Sequence, residues 1–267
     1  MSLVDLPRYE MCHVADLEEL CQLVYEKVDL SEPIKLLAGG TDLMVELVRG
    51  ERPADPLPLV VDISRMDELR AITWDGKRLS IGAAVTFLEM QRHPLVAEWA
   101  PIVARMARDV GGPTIQARGT LGGNLATASP AADGVAVLAA LDANVLVRSA
   151  RGARRIPFAK LQTGYKQSTR TAEEIIVAFE LVPPAPEATW QWRKIGPRLA
   201  QAISKVALAG VAELDEGGQV TRLGLALASV APVTARLEHT RALLAGAAPS
   251  TVEGAALDAA VESDISP

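Results

Sequence analysis

The stretch that most constrains this chain runs from Val110 to Asp133 and reads VGGPTIQARGTLGGNLATASPAAD. Gly119, Gly122 and Gly123 lack a Cβ, so the backbone there can adopt conformations closed to other residues and a ligand can come close to bare amides. Ser129 followed by Pro130 predicts a helix start, a hydroxyl cap and then a proline at the first helical position, continued by the apolar run Val135 to Leu141. Free N–H groups and the positive end of such a helix attract a phosphate. A tight turn before a well-capped helix also fits this loop taken alone.

A second glycine turn lies upstream in LLAGGTDL, Leu36 to Leu43. Ile34 to Ala38 reads as a short buried strand, Gly39-Gly40 as the turn, and Thr41 as the cap of a helix ending near Gly50. Two units of strand, glycine turn and helix start can face each other across the two phosphates of a dinucleotide. Neither is GxGxxG or GxxxxGK[ST], so neither a Rossmann fingerprint nor a nucleoside triphosphate loop is present.

LLAGGTDL followed by RGTLGGNLATASPAAD resembles the FAD-binding subunit of the molybdenum hydroxylases, the family of xanthine dehydrogenase and the carbon monoxide dehydrogenase medium subunit. LVVDISRMDELRAI, LSIGAAVTFLEMQ and WRKIGPRLAQAISKVALAG extend the resemblance over nearly the whole chain. It implies an α+β fold: an FAD-binding domain of two α/β subdomains, of the vanillyl-alcohol-oxidase/PCMH-like kind, and a smaller α+β C-terminal domain. It also implies that Leu36, Leu37, Ala38, Gly39, Gly40, Thr41, Asp42 and Leu43, with Thr120, Leu121, Gly122, Gly123 and Asn124, hold the pyrophosphate. Asp133 would contact hydroxyls of the ribityl or ribose part. Lys205 would lie near the flavin and raise its potential, with Val110 and Tyr165 beside the isoalloxazine. Relatives often carry Ile-Arg-Asn where this chain has Ile115-Gln116-Ala117, so charge next to the phosphate loop is lost unless Arg118 compensates. The implied role is electron transfer from an iron–sulfur subunit that drains a molybdopterin subunit to NAD or another acceptor, with no catalytic side chain in this chain. The alternative is a stand-alone FAD-dependent oxidoreductase with its own substrate site.

Composition narrows the rest. A net charge of −6 gives no footprint for nucleic acid, and no run of apolar residues is long enough to span a membrane. The chain therefore reads as cytoplasmic. Two cysteines cannot ligate an iron–sulfur cluster, and the scattered histidines form no metal pattern, so no metal is expected here. Cys21 falls on the apolar stripe of a predicted helix, Asp16 to Val28, with Asp16 and Glu19 as its capping box. Met44 reads as core. A single helix is expected within Pro94 to Val110 and a loop over Gly164 to Thr171. Proline clusters divide the chain into residues 1–56, 57–184 and 189–267. The sequence stops at Ser263-Asp264-Ile265-Ser266-Pro267, where the resemblance implies one more helix.

Overall fold

The computed structural model describes residues 9–49, 56–198 and 201–265. Residues 1–8 and 50–55, among them the expected helix end near Gly50, lie outside the described residues. Among the described residues three main sheets follow one another, and a two-stranded hairpin is inserted within the second.

The first sheet is parallel, with Leu59–Asp62 between Met11–Cys12 and Ile34–Leu37. Its middle strand comes after residue 56, so the expected break at that point falls inside the first layer and not at its edge. The helix Leu17–Asp29 packs Leu20, Cys21 and Val24 against Val61 and Ile63 of this sheet. Asp16 caps it through a bond from the Glu19 N–H (2.9 Å), but the Glu19 carboxylate accepts from Ala15 and not from Asp16, so the expected box is displaced by one residue. Met44, expected in the core, is 46% exposed. It lies in the short helix Leu43–Arg49, where Val45 and Glu46 beside it are exposed too.

The second sheet is antiparallel and orders Ile72–Trp74, Leu79–Gly82, Ile175–Leu181, Asn144–Ser149 and Gly152–Pro157. Helices Phe87–Arg92, Pro94–Trp99, Pro101–Ala107 and Asp133–Ala140 share its apolar core. The first has a full capping box between Thr86 and Glu89. One helix was expected where Pro94–Trp99 and Pro101–Ala107 now stand; Pro101 lacks an N–H and its ring would strike the carbonyl four residues back, so the chain breaks at Ala100.

Beyond the prolines after Leu181 comes a third, antiparallel sheet of Thr189–Ile195, Val206–Leu214 and Val220–Ala228. It lies on the helix Asp133–Ala140, every residue of which is buried. Contact is so close that a Cβ on Gly224 would stand 1.7 Å from the Ala140 carbonyl oxygen. Helices Glu238–Leu244 and Gly254–Ile265 close the chain. Asp264 pins the last helix to the one before it, accepting from the N–H groups of His239 (2.8 Å) and Thr240 (2.9 Å) and from the Thr240 hydroxyl (2.7 Å).

Gly224→Ala should therefore lose about 1–3 kcal/mol or more of stability, because backbone must retreat from backbone. Gly254→Ala, whose Cβ would meet open space, should be neutral or slightly stabilising. Chemical denaturation of both variants checks this, and equal stabilities would refute the tight docking.

Candidate cofactor cleft

The strand Ile34–Leu37 ends and the chain turns through Gly39 and Gly40 into the helix Leu43–Arg49. Gly40 needs its missing side chain for conformation, at φ +75°. Gly39 needs it for space: a Cβ there would lie 1.9 Å from the Arg118 carbonyl oxygen and 2.6 Å from its carbon. The two glycine turns thus touch, backbone on backbone. Thr41 is not the cap of its helix; it sits two residues ahead of Leu43.

The second turn differs from a simple loop. Thr120 is the N-cap of a short helix, Leu121–Ala126, and its hydroxyl accepts from the Gly123 N–H at 3.0 Å. The glycines therefore lie in the first helical turn, and they face different ways. Gly122 donates to the Ala83 carbonyl (2.9 Å), and a Cβ on it would stand 2.5 Å from that oxygen, so its absent side chain lets the helix seat on the protein. A Cβ on Gly123 would meet only the Thr120 hydroxyl, at 3.0 Å. The helix predicted from Ser129 starts later, at Asp133, because the Ser129 hydroxyl is spent on the Ala131 N–H (3.3 Å). Its N-cap, Ala132, offers no side-chain acceptor; Asn124 supplies one from the neighbouring helix, its Oδ1 accepting from the Gly134 N–H at 3.0 Å.

Of the residues singled out in the sequence, Leu36, Ala38, Gly39, Gly40, Thr41, Asp42, Leu43, Val110, Thr120, Gly123, Asn124 and Asp133 line one cleft of about 550 Å³. Leu37, Leu121, Gly122, Tyr165 and Lys205 do not. Leu121 and Gly122 are buried on the far side of their helix. Tyr165 is 61% exposed at the tip of a small hairpin, Gln162–Gly164 with Gln167–Ser168, which replaces the expected loop. Lys205 is exposed, and the lysine that enters the cleft is Lys194.

Lys194 is the centre of a network the sequence reading missed. Its ammonium donates to Asp133 Oδ2 (2.6 Å) and to the Asp109 carbonyl (3.0 Å), while the Ser204 hydroxyl donates to Asp133 Oδ1 (2.7 Å). The Trp192 indole donates to the Asp109 carboxylate at 2.9 Å. Alternation along Thr189–Ile195 was the available signal: Trp192 points inward, so Lys194 two residues on must do the same. Burial raises the Asp133 carboxyl above its ordinary value and the Asp109 charge adds to this, although Lys194 and Ser204 both pull it down. Ile203, from the segment that also supplies Ser204, reaches the cleft while 78% exposed, and its neighbour Gln201 donates from its N–H to the Gly111 carbonyl (3.3 Å). The first sheet, the loops and helices packed on the second, and the third sheet thus contribute walls to this cleft.

A sequence profile described as the FAD binding domain in molybdopterin dehydrogenase matches residues 7–184, and one described as the CO dehydrogenase flavoprotein C-terminal domain matches residues 191–267. The nicotinate dehydrogenase FAD-subunit of Eubacterium barkeri is 30% identical over 241 residues, covering 89% of this chain and 79% of that protein. The carbon monoxide dehydrogenase medium chain of Hydrogenophaga pseudoflava is 30% identical over 259 residues, covering 96% of this chain and 86% of the other. A solved carbon monoxide dehydrogenase from Hydrogenophaga pseudoflava, which lacks the Mo-pyranopterin moiety of the molybdenum cofactor, has a chain that superposes with a TM-score of 0.86 at 28% identity, covering 96% of this chain and 86% of that one.

Gly39→Ala should force the glycine turns apart and abolish ligand binding in the cleft; full ligand affinity in a titration of that variant would refute the contact. Lys194→Met leaves the buried Asp133 charge without its cation and should cost about 3–5 kcal/mol. Adding Asp133→Asn should restore part of that loss, and a denaturation double-mutant cycle with strictly additive losses would deny the coupling.

Proposed function

Because the chain belongs to the family of FAD-binding subunits of the molybdopterin dehydrogenases, we propose that it is the electron-carrying subunit of such a complex. It is an oxidoreductase component, and FAD is its cofactor. In the proposed role it takes electrons from an iron–sulfur subunit that drains a molybdopterin subunit, and it delivers them to NAD or another acceptor.

The observation that carries the reading is the meeting of Gly39 with Arg118 at the floor of a cleft to which Gly123 and Thr120 also turn. A pyrophosphate requires backbone it can approach closely, and the absence of a Cβ at Gly39 lets the two turns meet so that both can face one anion. In this reading Gly40, Thr41 and Asp42 present N–H groups to the phosphates, each such bond to a charged group being worth roughly 1.5–3 kcal/mol; the Gly123 N–H is taken by the Thr120 hydroxyl, so that glycine contributes close approach and not a donor. The Asn124 amide nitrogen reaches the same place, its oxygen being engaged by Gly134. Val110 and Ile203 offer apolar surface to the flavin ring. A second pocket of about 330 Å³, sharing Leu36, Ala38 and Gly123 with the cleft, receives the adenosine end.

When bound, FAD supplies the redox chemistry through its isoalloxazine. The protein's part is to hold and tune it. Lys194 enters the cleft as half of an ion pair with Asp133, its ammonium also bonded to the Asp109 carbonyl, so the pair offers an oriented dipole whose positive end would favour added electrons on a ring placed nearer the ammonium. Asp133, locked by Lys194 and Ser204, keeps a second lone pair on each oxygen for hydroxyl groups of the cofactor. Because Lys194 and Ser204 come from the C-terminal domain and Asp133 from the domain before it, the cation takes its place only when both domains are docked.

Purified alone and loaded with FAD, the chain should show no turnover of purines, aldehydes or N-heterocycles. Activity should appear once iron–sulfur and molybdopterin subunits are supplied. Substrate oxidation by the isolated chain, with metal analysis showing no iron or molybdenum, would overturn the role and favour a stand-alone flavoenzyme.

A further inference from the structure

The second pocket holds one residue that the reading above leaves without a task. Its walls are mostly aliphatic, Val24, Ile34, Ile63 and Ile175 among them, with three charged residues, Lys35, Glu174 and Arg170, at their edge. The guanidinium is held in a fixed plane: Nη1 donates to the Glu174 carbonyl (2.5 Å) and lies 3.4 Å from the Thr171 carbonyl. It does not pair with the Glu174 carboxylate, which is taken by Arg154 through both oxygens and by the Thr171 N–H. Among the described residues, nothing accepts from Nε or Nη2 of Arg170. Burial lowers its pKa below the usual arginine value, with the Glu174 charge opposing that only in part. A half-buried guanidinium anchored through one nitrogen beside an aliphatic wall has donors to spare, and a ligand that enters with in-plane acceptors can take them.

We propose that Arg170 is the residue by which this chain recognises the adenine of its cofactor, its free N–H groups donating to ring nitrogens of a base lying in the aliphatic slot. The proposal rests on the FAD reading of the cleft. Adenine suits both features of the pocket: its flat faces pack on Val24, Ile34, Ile63 and Ile175, and its edge carries lone pairs that a planar fork can reach and a compact ammonium would match less well. The consequence is selectivity for a dinucleotide. FMN, which stops at the first phosphate, would use the glycine cradle and the ring walls but leave Arg170 unsatisfied.

The test is titration of the flavin-free chain with FAD, FMN and ADP by calorimetry. Arg170→Met should weaken FAD and ADP by about tenfold, the scale of a lost bond to a charged group, and leave FMN unchanged. Arg170→Lys keeps the charge and serves if Arg170→Met does not fold; it should weaken ADP in the same direction. Unchanged ADP affinity in either folded variant, or an equal loss for FMN, would overturn the role of Arg170 while leaving the cleft reading standing. Failure of the wild-type chain to bind FAD or ADP at all would overturn both.

Discussion

The cleft exists because two backbones run against each other at Gly39 and Arg118 with no side chain between them. Any other residue at position 39 would push the first sheet away from the helix that begins at Thr120, and the glycine turns would no longer share a floor. What surrounds this contact is arranged to fix it. Thr86 and Thr120 bridge, Phe87 donates to the Gly119 carbonyl (3.0 Å), and Gly122 donates to Ala83, so the second turn is bolted to the antiparallel sheet. The first turn is then free to differ only as far as its own short helix allows.

The C-terminal domain repeats the device. Gly224 lets its sheet lie directly on the helix Asp133–Ala140, and that helix presents Asp133 to Lys194 and Ser204. Packing and electrostatics therefore act together: the close approach removes water from the carboxylate, which raises the cost of its charge, and the lysine that offsets the cost comes from the sheet whose approach created it. In the proposed role, a cofactor ring held between domains fixed in this way would have a defined charge environment, which a mobile loop would not give.

Much of this was legible in the residues. The glycine pairs, the capping residue Asp16, the buried Cys21 and the prolines after Leu181 each impose a local constraint that tertiary structure had no cause to override. The errors have a common physical origin. Thr41 and Ser129 were read as caps, but a cap depends on where the helix axis finally starts, and a short helix can begin two or four residues later. Met44 was read as core because helical spacing tells which residues share a face and not whether a partner covers it. Lys205 came from the resemblance alone and Lys194 was not singled out, although alternation along the strand that carries Trp192 places the two on one face. Gly224 could not be recognised, since nothing local says that a glycine in a strand is there for a neighbouring helix.

The central claim is that the two glycine turns form one anion site and not two unrelated turns. Amide hydrogen exchange, measured on the chain with and without FAD, tests it most directly. The account predicts that FAD slows exchange in both segments, Gly39 to Leu43 and Gly119 to Asn124, with the same dependence on FAD concentration. Protection confined to one segment, or appearing in the two at different concentrations, would contradict it.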